Sequence, residues 1–319
     1  MTTKVCVVIP AYNEEHAIGA TISTFKAALP KARIVVVDNN SSDRTSEIAA
    51  GLLDPQRDLL LSEPRQGKGM AIKAGLSRIS ADIYVMTDGD GTYPADAAAR
   101  LVDMLIERRY DMVVGDRVTG GAYMKQNTRA AHNFGNWFLT RFISTLAGQK
   151  YSDVLSGLRI MSRPFVQMLD VRSSGFQLET ELNIVAAYVR ANVIEEPVEY
   201  HARPEGSVSK LNTVRDGLRI AWFACLNWIV FYPLHAFGLV AAFALIISAV
   251  LGVWVIAVFL ELGAMPFPAT AVAAATAGLI GLQSLFVGIS LRVSGRETRR
   301  RDVARLMELR RQWNDRLDA

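Results

Sequence analysis

The stretch Asp88-Gly89-Asp90-Gly91-Thr92-Tyr93-Pro94 sets two carboxylates one residue apart just beyond the apolar run ADIYVMT. That spacing lets both share one hard divalent cation, Mg2+ or Mn2+. Such an ion would offset the negative charge of a departing diphosphate. A calcium-binding helix–loop–helix does not fit, because Ala99 stands where that loop needs glutamate and a strand-like run precedes it. A plain Asp/Gly turn is the other reading. Upstream, Arg65-Gln66-Gly67-Lys68-Gly69-Met70 puts two glycines and a cation at a predicted helix start, a suitable place for phosphate oxygens. Lys68 is followed by Gly69 rather than Ser or Thr, and no GxGxxG opens a helix. An ATPase of the Walker type and a dinucleotide-dependent dehydrogenase both lose support. A capped helix with a solvent-facing lysine is the alternative at that position.

Two further polar clusters follow apolar runs: Pro10-Ala11-Tyr12-Asn13-Glu14 and Asp38-Asn39-Asn40-Ser41-Ser42-Asp43. A carboxylate such as Asp38 at a strand end can accept hydrogen bonds from a nucleobase or ribose. Asp43 equally well caps the next helix, and Asn39 and Asn40 equally well turn the chain. No GxSxG or HExxH spacing occurs, and the four histidines receive no metal role. Cys6 and Cys225 cannot build a disulfide framework.

These clusters need elements to hold them. VCVVIPAY, ARIVVVD, RDLLLSE, ADIYVMTD and DMVVGDR read as strands, separated by helical patterns near residues 14–29, 43–51, 67–79 and 94–110. The alternation implies an α/β domain with a mostly parallel sheet and helices on both faces. In such a sheet, ligands bind at the carboxyl ends of the strands, where the polar clusters fall.

The 319 residues exceed what this domain needs, and the remainder is different in kind. From Pro233 to Leu291 there is no Lys or Arg, and Glu261 is the sole carboxylate. Leu234–Leu260 and Ala269–Leu291 are each long enough to cross a hydrocarbon core of about 30 Å, and a short turn with Pro266 and Pro268 joins them. Residues 211–232 carry cations early and Trp222, Phe223, Trp228 and Tyr232 later, as expected of an interfacial helix. Beyond Leu291 the chain is Arg-rich, from Arg292 to Arg316, which predicts that both ends of the hairpin and the α/β domain face the cytoplasm, at the inner membrane. The Arg run would either meet anionic headgroups or pair with carboxylates as a solvated helix. The formal net charge of +4 is concentrated there, so nucleic acid is not an expected partner. VCVVIPAY is too short for a secretory signal. The expected organisation is a domain over 1–210, an interfacial helix over 211–232, a membrane hairpin over 233–291 and a basic helix over 292–319.

IPAYNEE, VVDNNSSDRT, GKGMAIKAG and DGDGTYP, in this order, resemble the nucleotide-sugar domain of family-2 glycosyltransferases, which has the Rossmann-like GT-A fold. VVGDR, DVLSGLRIMSRPF, GFQLETEL, EEPVEYHARPEGSVSKL and the two-helix tail extend the similarity to polyprenyl-phosphate glycosyltransferases of the dolichol-phosphate mannose synthase group. The resemblance covers nearly the whole chain. It implies that Pro10, Tyr12, Glu14, Asp38 and Gly89 surround the nucleotide, that Lys68 meets the diphosphate, and that Asp88 and Asp90 hold Mg2+ or Mn2+. It implies that Arg117, Arg203, Ser209 and Lys210 face the acceptor phosphate. Catalytic roles would fall to Asp90, Arg117 and Glu181, with Glu181 matching the family's glutamate better than Glu179. Thr92 departs from the glutamine usual in mannose synthases, which favours a UDP-sugar over GDP-mannose as donor.

The expected activity is inverting transfer of one sugar from a nucleotide-diphosphate sugar to a polyprenyl phosphate for cell-envelope glycolipid synthesis. An ionised phosphate needs no strong base to attack. The rival readings are a processive polysaccharide synthase, for which Arg310-Arg311-Gln312-Trp313 has the QxxRW letters in the wrong order, and a non-catalytic nucleotide-sugar or lipid-binding scaffold. Membrane lipids are expected partners, and the Ala/Gly-rich second crossing would suit a homo-oligomer.

Overall fold

The structure, a computed structural model, describes residues 3–119, 130–207, 210 and 213–318. Seven described strands form one sheet: β1 (Val5–Ala11), β2 (Arg33–Asp38), β3 (Leu59–Ser62), β4 (Ile83–Met86), β5 (Met112–Asp116), β6 (Arg159–Ser162) and β7 (Val193–Pro197). Their order is β3-β2-β1-β4-β6-β5-β7, and all neighbours are parallel except those of β6. β1 and β2 pair from Cys6 with Arg33 to Ala11 with Asp38, so two of the polar clusters leave the sheet side by side.

Alternation along β1 sorts the core into two layers. Val7 and Ile9 face α1 (Ile18–Ala28) and α4 (Ala95–Arg108), with Ile22, Phe25 and Leu101 buried among them. Cys6 and Val8 face α3 (Lys68–Arg78) and α7 (Leu178–Val189), against Ile72, Leu178 and Leu182. Each such side chain contributes about 1.5–3 kcal/mol when fully buried. The remaining helices of this part are α2 (Thr45–Leu52), α5 (Ala130–Ala147) and the short α6 (Arg163–Val166).

The mostly parallel sheet and its five leading strands are as expected; β6 and β7 are additions. β6 reads Arg-Ile-Met-Ser, yet all four residues are buried. Arg159 is accommodated by donating to the carbonyls of Ser156 and Val154 and to Asn183 Oδ1. β7 carries two glutamates and ends in Pro197, which suits a strand at a sheet edge. Helix α1 begins four residues later than the pattern suggested, because Glu14–Ala17 form a turn in which the Glu14 carbonyl accepts the Ala17 and Ile18 N–H groups.

The tail consists of α8 (Thr213–Phe231), α9 (Pro233–Leu262) and α10 (Pro268–Asp318). The chain divides into two compact units, 1–224 with 302–319 and 225–301. In the second unit, α9 and the first part of α10 are long and apolar enough to span a membrane, and only 6% and 17% of their apolar stretches are buried. Core helices of a soluble protein would be mostly buried, so the exposed apolar surface marks a membrane protein. The small residues of α10 face α9: a Cβ at Gly278 would lie 2.9 Å from Ser248 Oγ, and one at Gly281 would lie 2.7 Å from Leu245 Cγ. Glycine thus serves packing within the hairpin.

In the first unit, residues 302–318 of α10 lie across the amino ends of the parallel strands. Leu306 and Trp313 are 1% and 3% exposed and belong to the two core layers. Arg310 binds both oxygens of Asp111, which precedes β5, and Arg316 reaches Asp82, which precedes β4. These two arginines are therefore partners of carboxylates in the α/β domain.

Candidate active site

The carboxyl ends of β1, β2, β4 and β5 carry the predicted residues. After β4, Asp90 is buried, and its Oδ1 accepts the Thr92 N–H at 3.1 Å and the Thr92 hydroxyl at 2.7 Å. Its Oδ2 lies 2.6 Å from Arg203 Nη2. Burial and the neighbouring Asp88 charge push the Asp90 carboxyl above its usual range, against the opposing pull of Arg203. Burial also acts on Asp88, but the Lys68 ammonium outweighs it and holds that carboxyl low. The two carboxylates lie near enough for the Asp88 charge to act on Asp90. Among the described residues no third His, Cys, Asp or Glu joins them. That donor set fits Mg2+ or Mn2+, which take one or two carboxylates and fill their other positions with water and substrate phosphates.

Lys68 opens α3 with its Nζ 2.5 Å from Asp88 Oδ1 and 2.5 Å from Glu179 Oε1. It stays charged, since those two carboxylates outweigh the effect of its burial. The flanking glycines have a packing task. A Cβ at Gly67 would lie 2.0 Å from the Ser174 carbonyl oxygen, and one at Gly69 would lie 2.1 Å from that of Ser173. Both let α3 press against the loop before α7.

That loop also separates the surroundings of the two glutamates. Glu181 accepts the N–H groups of Arg172 and Ser173 at 2.8 and 3.0 Å and the Ser173 hydroxyl at 2.6 Å. It anchors the loop, whereas Glu179 faces Lys68. Residues two apart on a helix point to different faces, so the two carboxylates have different neighbours.

After β1, Glu14 is buried and accepts the Ser207 hydroxyl at 2.7 Å, while Arg203 Nη1 stands 3.7 Å away. Burial raises its carboxyl above the usual range. Lys210 Nζ donates to the Asn13 carbonyl at 3.0 Å. Arg203, Ser207 and Lys210 thus fold over the ends of β1 and β4; Ser209 lies outside the described residues. Pro10 and Tyr12 are half-buried at the end of β1, and Gly89 is buried between the two aspartates. At the end of β2, Asp38 is 8% exposed with Oδ1 accepting the Ser41 N–H. Asn39 has a structural task, donating to the Glu63 and Arg65 carbonyls and accepting the Gly67 N–H. Asn40 has a φ of 64°, a turn position. Asp43 receives the Thr45 N–H and hydroxyl and the Glu15 N–H, tying α2 to the loop after β1.

Arg117 follows β5 and is bidentate to Asp153, Nε to Oδ2 at 2.7 Å and Nη2 to Oδ1 at 2.9 Å. Its Cζ lies 5.4 Å from the Tyr200 ring centroid, and Tyr200 meets Tyr93 edge-on at 5.5 Å. Asp153, Glu179 and the Thr92 hydroxyl complete the constellation; Asp153 was not singled out from sequence, and Glu179 and Thr92 were named there without these contacts. Only Thr92 had a local signal there, the Asp-x-Thr turn.

Comparison with known proteins agrees with this geometry. Residues 6–168 match the family described as Glycosyl transferase family 2. The chain is 33% identical over 217 residues to the glycosyltransferase AglJ of Haloferax volcanii, covering 67% of this chain and 68% of that protein. It is 34% identical over 216 residues to the dolichyl-phosphate hexose transferase of the same organism, covering 67% and 89%. Polyprenol monophosphomannose synthase of Mycolicibacterium smegmatis is 26% identical over 245 residues, covering 71% and 87%. Among solved structures, glucosyl-3-phosphoglycerate synthase of Mycobacterium tuberculosis with Mn2+, UDP and glucosyl-3-phosphoglycerate gives a TM-score of 0.52 at 20% identity, over 70% of this chain and 80% of that one. That likeness establishes the fold. With a parallel sheet whose strand ends gather Asp88, Asp90 and Lys68, and with more than half its length matched, the chain belongs to the family-2 glycosyltransferases and has a GT-A-like fold.

Proposed function

We propose that this membrane glycosyltransferase transfers one sugar, with inversion, from a nucleotide-diphosphate sugar to a polyprenyl phosphate at the cytoplasmic leaflet, with a UDP-sugar favoured over GDP-mannose. The observation that carries the reading is the joining of paired acidic groups, Asp88 and Asp90, to the cations Lys68, Arg117 and Arg203 at one end of the sheet. A donor diphosphate and an acceptor phosphate are both anionic, and the carboxylates Asp88, Asp90, Glu14, Glu179 and Asp153 outnumber these three cations, so a divalent ion at Asp88 and Asp90 would be needed for the site to take both. Relatives named for dolichyl, polyprenol and undecaprenyl acceptors support the lipid, as do the two apolar helices.

Asp88 and Asp90 would hold Mg2+ or Mn2+, which when bound neutralises the diphosphate. Lys68, steadied by Glu179, places a further positive charge beside Asp88. Tyr12, Glu14 and Asp38 border the nucleoside. Arg117, fixed in direction by Asp153, would orient the acceptor phosphate together with Arg203, Ser209 and Lys210, since arginine matches phosphate oxygens bidentately. An acceptor oxygen forms the new bond to the anomeric carbon from the face opposite the diphosphate, and the carbon–diphosphate bond breaks with its electron pair leaving on the nucleotide. Orientation by these side chains supplies the rate.

The test is to incubate the full chain in detergent with a short polyprenyl phosphate, Mg2+ or Mn2+, and a panel of UDP- and GDP-sugars, reading glycolipid mass. One sugar per lipid is expected, abolished by EDTA and reduced at least about 100-fold in Asp88→Asn or Asp90→Asn. Wild-type rates in both variants would refute the metal assignment, and long glycans would refute single transfer.

A further inference from the structure

β4 and β6 run antiparallel with Met86 paired to Arg159. Two residues beyond that last pair, the same register sets Asp88 opposite Gly157. The approach is close. A Cβ added at Gly157 would lie 2.5 Å from Asp88 Oδ2, 2.9 Å from its Cγ and 3.0 Å from its Oδ1. The backbone there does not require glycine, since Gly157 is not among the described glycines with positive φ. What the missing side chain supplies is room for a carboxylate.

Neither wall can give way easily. On one side, Asp88 Oδ1 is held by Lys68 Nζ at 2.5 Å, and Lys68 is held in turn by Glu179. On the other, the Gly157 N–H donates to the Tyr93 hydroxyl at 2.7 Å, and the adjoining Ser156 hydroxyl donates to the Gly115 carbonyl. Tyr93 is itself only 4% exposed.

We propose that Gly157 is a positioning residue for the cation site, fixing the Asp88 carboxylate between Lys68 and the strand β6 at the place where it meets the divalent ion. The proposal rests on the reading of Asp88 and Asp90 as cation ligands. An alanine at 157 would have to open its contact with Oδ2 from 2.5 Å to at least 3.0 Å. Ligand distances at metal sites hold to about 0.2 Å, so that displacement is too large to absorb. Tyr93 acts one step further out, by holding the Gly157 peptide.

The test is Mn2+ binding to the full chain in detergent, read from loss of the free-Mn2+ electron paramagnetic resonance signal, with thermal unfolding measured in parallel. Gly157→Ala should weaken Mn2+ binding about 10- to 100-fold, the usual effect of disturbing a ligand's support. Gly281→Ala is the control: its Cβ would meet Leu245 Cγ at 2.7 Å within the hairpin, so it should lower the unfolding temperature and keep Mn2+ affinity. Wild-type affinity in Gly157→Ala, with binding lost in Asp88→Asn, would overturn the proposal. Unchanged affinity in Asp88→Asn would instead overturn the cation reading beneath it. Should Gly157→Ala not fold, Tyr93→Phe decides: several-fold weaker Mn2+ binding supports the proposal, and wild-type binding overturns it.

Discussion

Replacing Trp313 by alanine tests whether the last part of α10 belongs to the α/β domain. Trp313 is 3% exposed and packs in the layer that contains Leu101 and Phe25. Truncating a buried tryptophan costs about 3–5 kcal/mol through lost burial and the cavity left behind. For a unit of about 240 residues, each kcal/mol lowers the unfolding temperature by about 2–4 °C, so a fall of about 6–20 °C is expected. The indole Nε1 has no hydrogen-bond partner, so Trp313→Phe should cost much less. A stop codon in place of Asp302 removes Leu306 and the Arg310–Asp111 pair as well, and should be at least as harmful. The assay is thermal unfolding of detergent-solubilised protein followed by size-exclusion chromatography. Because Asp82 and Asp111 mark the amino ends of strands and the site lies at the carboxyl ends, turnover by folded Trp313→Ala at low temperature should stay within about two-fold of wild type. Unfolding at the wild-type temperature in both variants would refute the assignment of 302–318 to this core.

Three further outcomes are expected. Glu179→Gln leaves the Lys68 charge balanced by Asp88 alone and should weaken Mn2+ binding about ten-fold. Glu181→Gln should instead lower stability by about 1–3 kcal/mol through the loop at 172–173, with Mn2+ binding retained; the reverse pattern would favour Glu181 over Glu179 as the site's carboxylate. Asp58 is held below its usual value because Lys26 and the Asp54 and Ile34 N–H groups outweigh burial. The unfolded chain therefore takes up this proton first, so the stabilisation is present above pH 3.8 and is lost as pH falls through the lower folded value. The stability gap between wild type and Asp58→Asn in denaturant titrations should accordingly shrink below about pH 4, and a gap independent of pH would refute it. Gly281→Leu should lower the unfolding temperature of the hairpin through contact with Leu245, whereas Gly252→Leu, with nothing within 4 Å of its Cβ position, should not. Equal effects would refute packing by the α10 glycines.

The leading strands were legible because Val- and Ile-rich runs such as Ile34–Val37 are buried on both faces and need no alternation. β6 escaped because its buried arginine is satisfied by groups distant in sequence, Asn183 above all. Asp88 and Asp90 were readable since their chemistry is local. The partner of Arg117, Asp153, was not, because 36 residues separate them and only the antiparallel return of β6 brings them together. The same applies to the orientation of Glu179 and Glu181, which depends on where α7 settles. Leu306 and Trp313 stand seven residues apart, a helical spacing plain in the sequence. What they would cover was not, since the acceptor surface comes from both layers of the sheet.

Cys6 lies on the interior strand β1 with no exposed surface, and burial pushes its thiol up to about 12. Thiolate is the form that attacks alkylating reagents, so in the native protein this buried sulfur is nearly inert at neutral pH. Its labelling therefore serves as a built-in clock for sheet opening, recording each excursion in which strand β1 loses its neighbours, in detergent or in a bilayer, without an engineered probe.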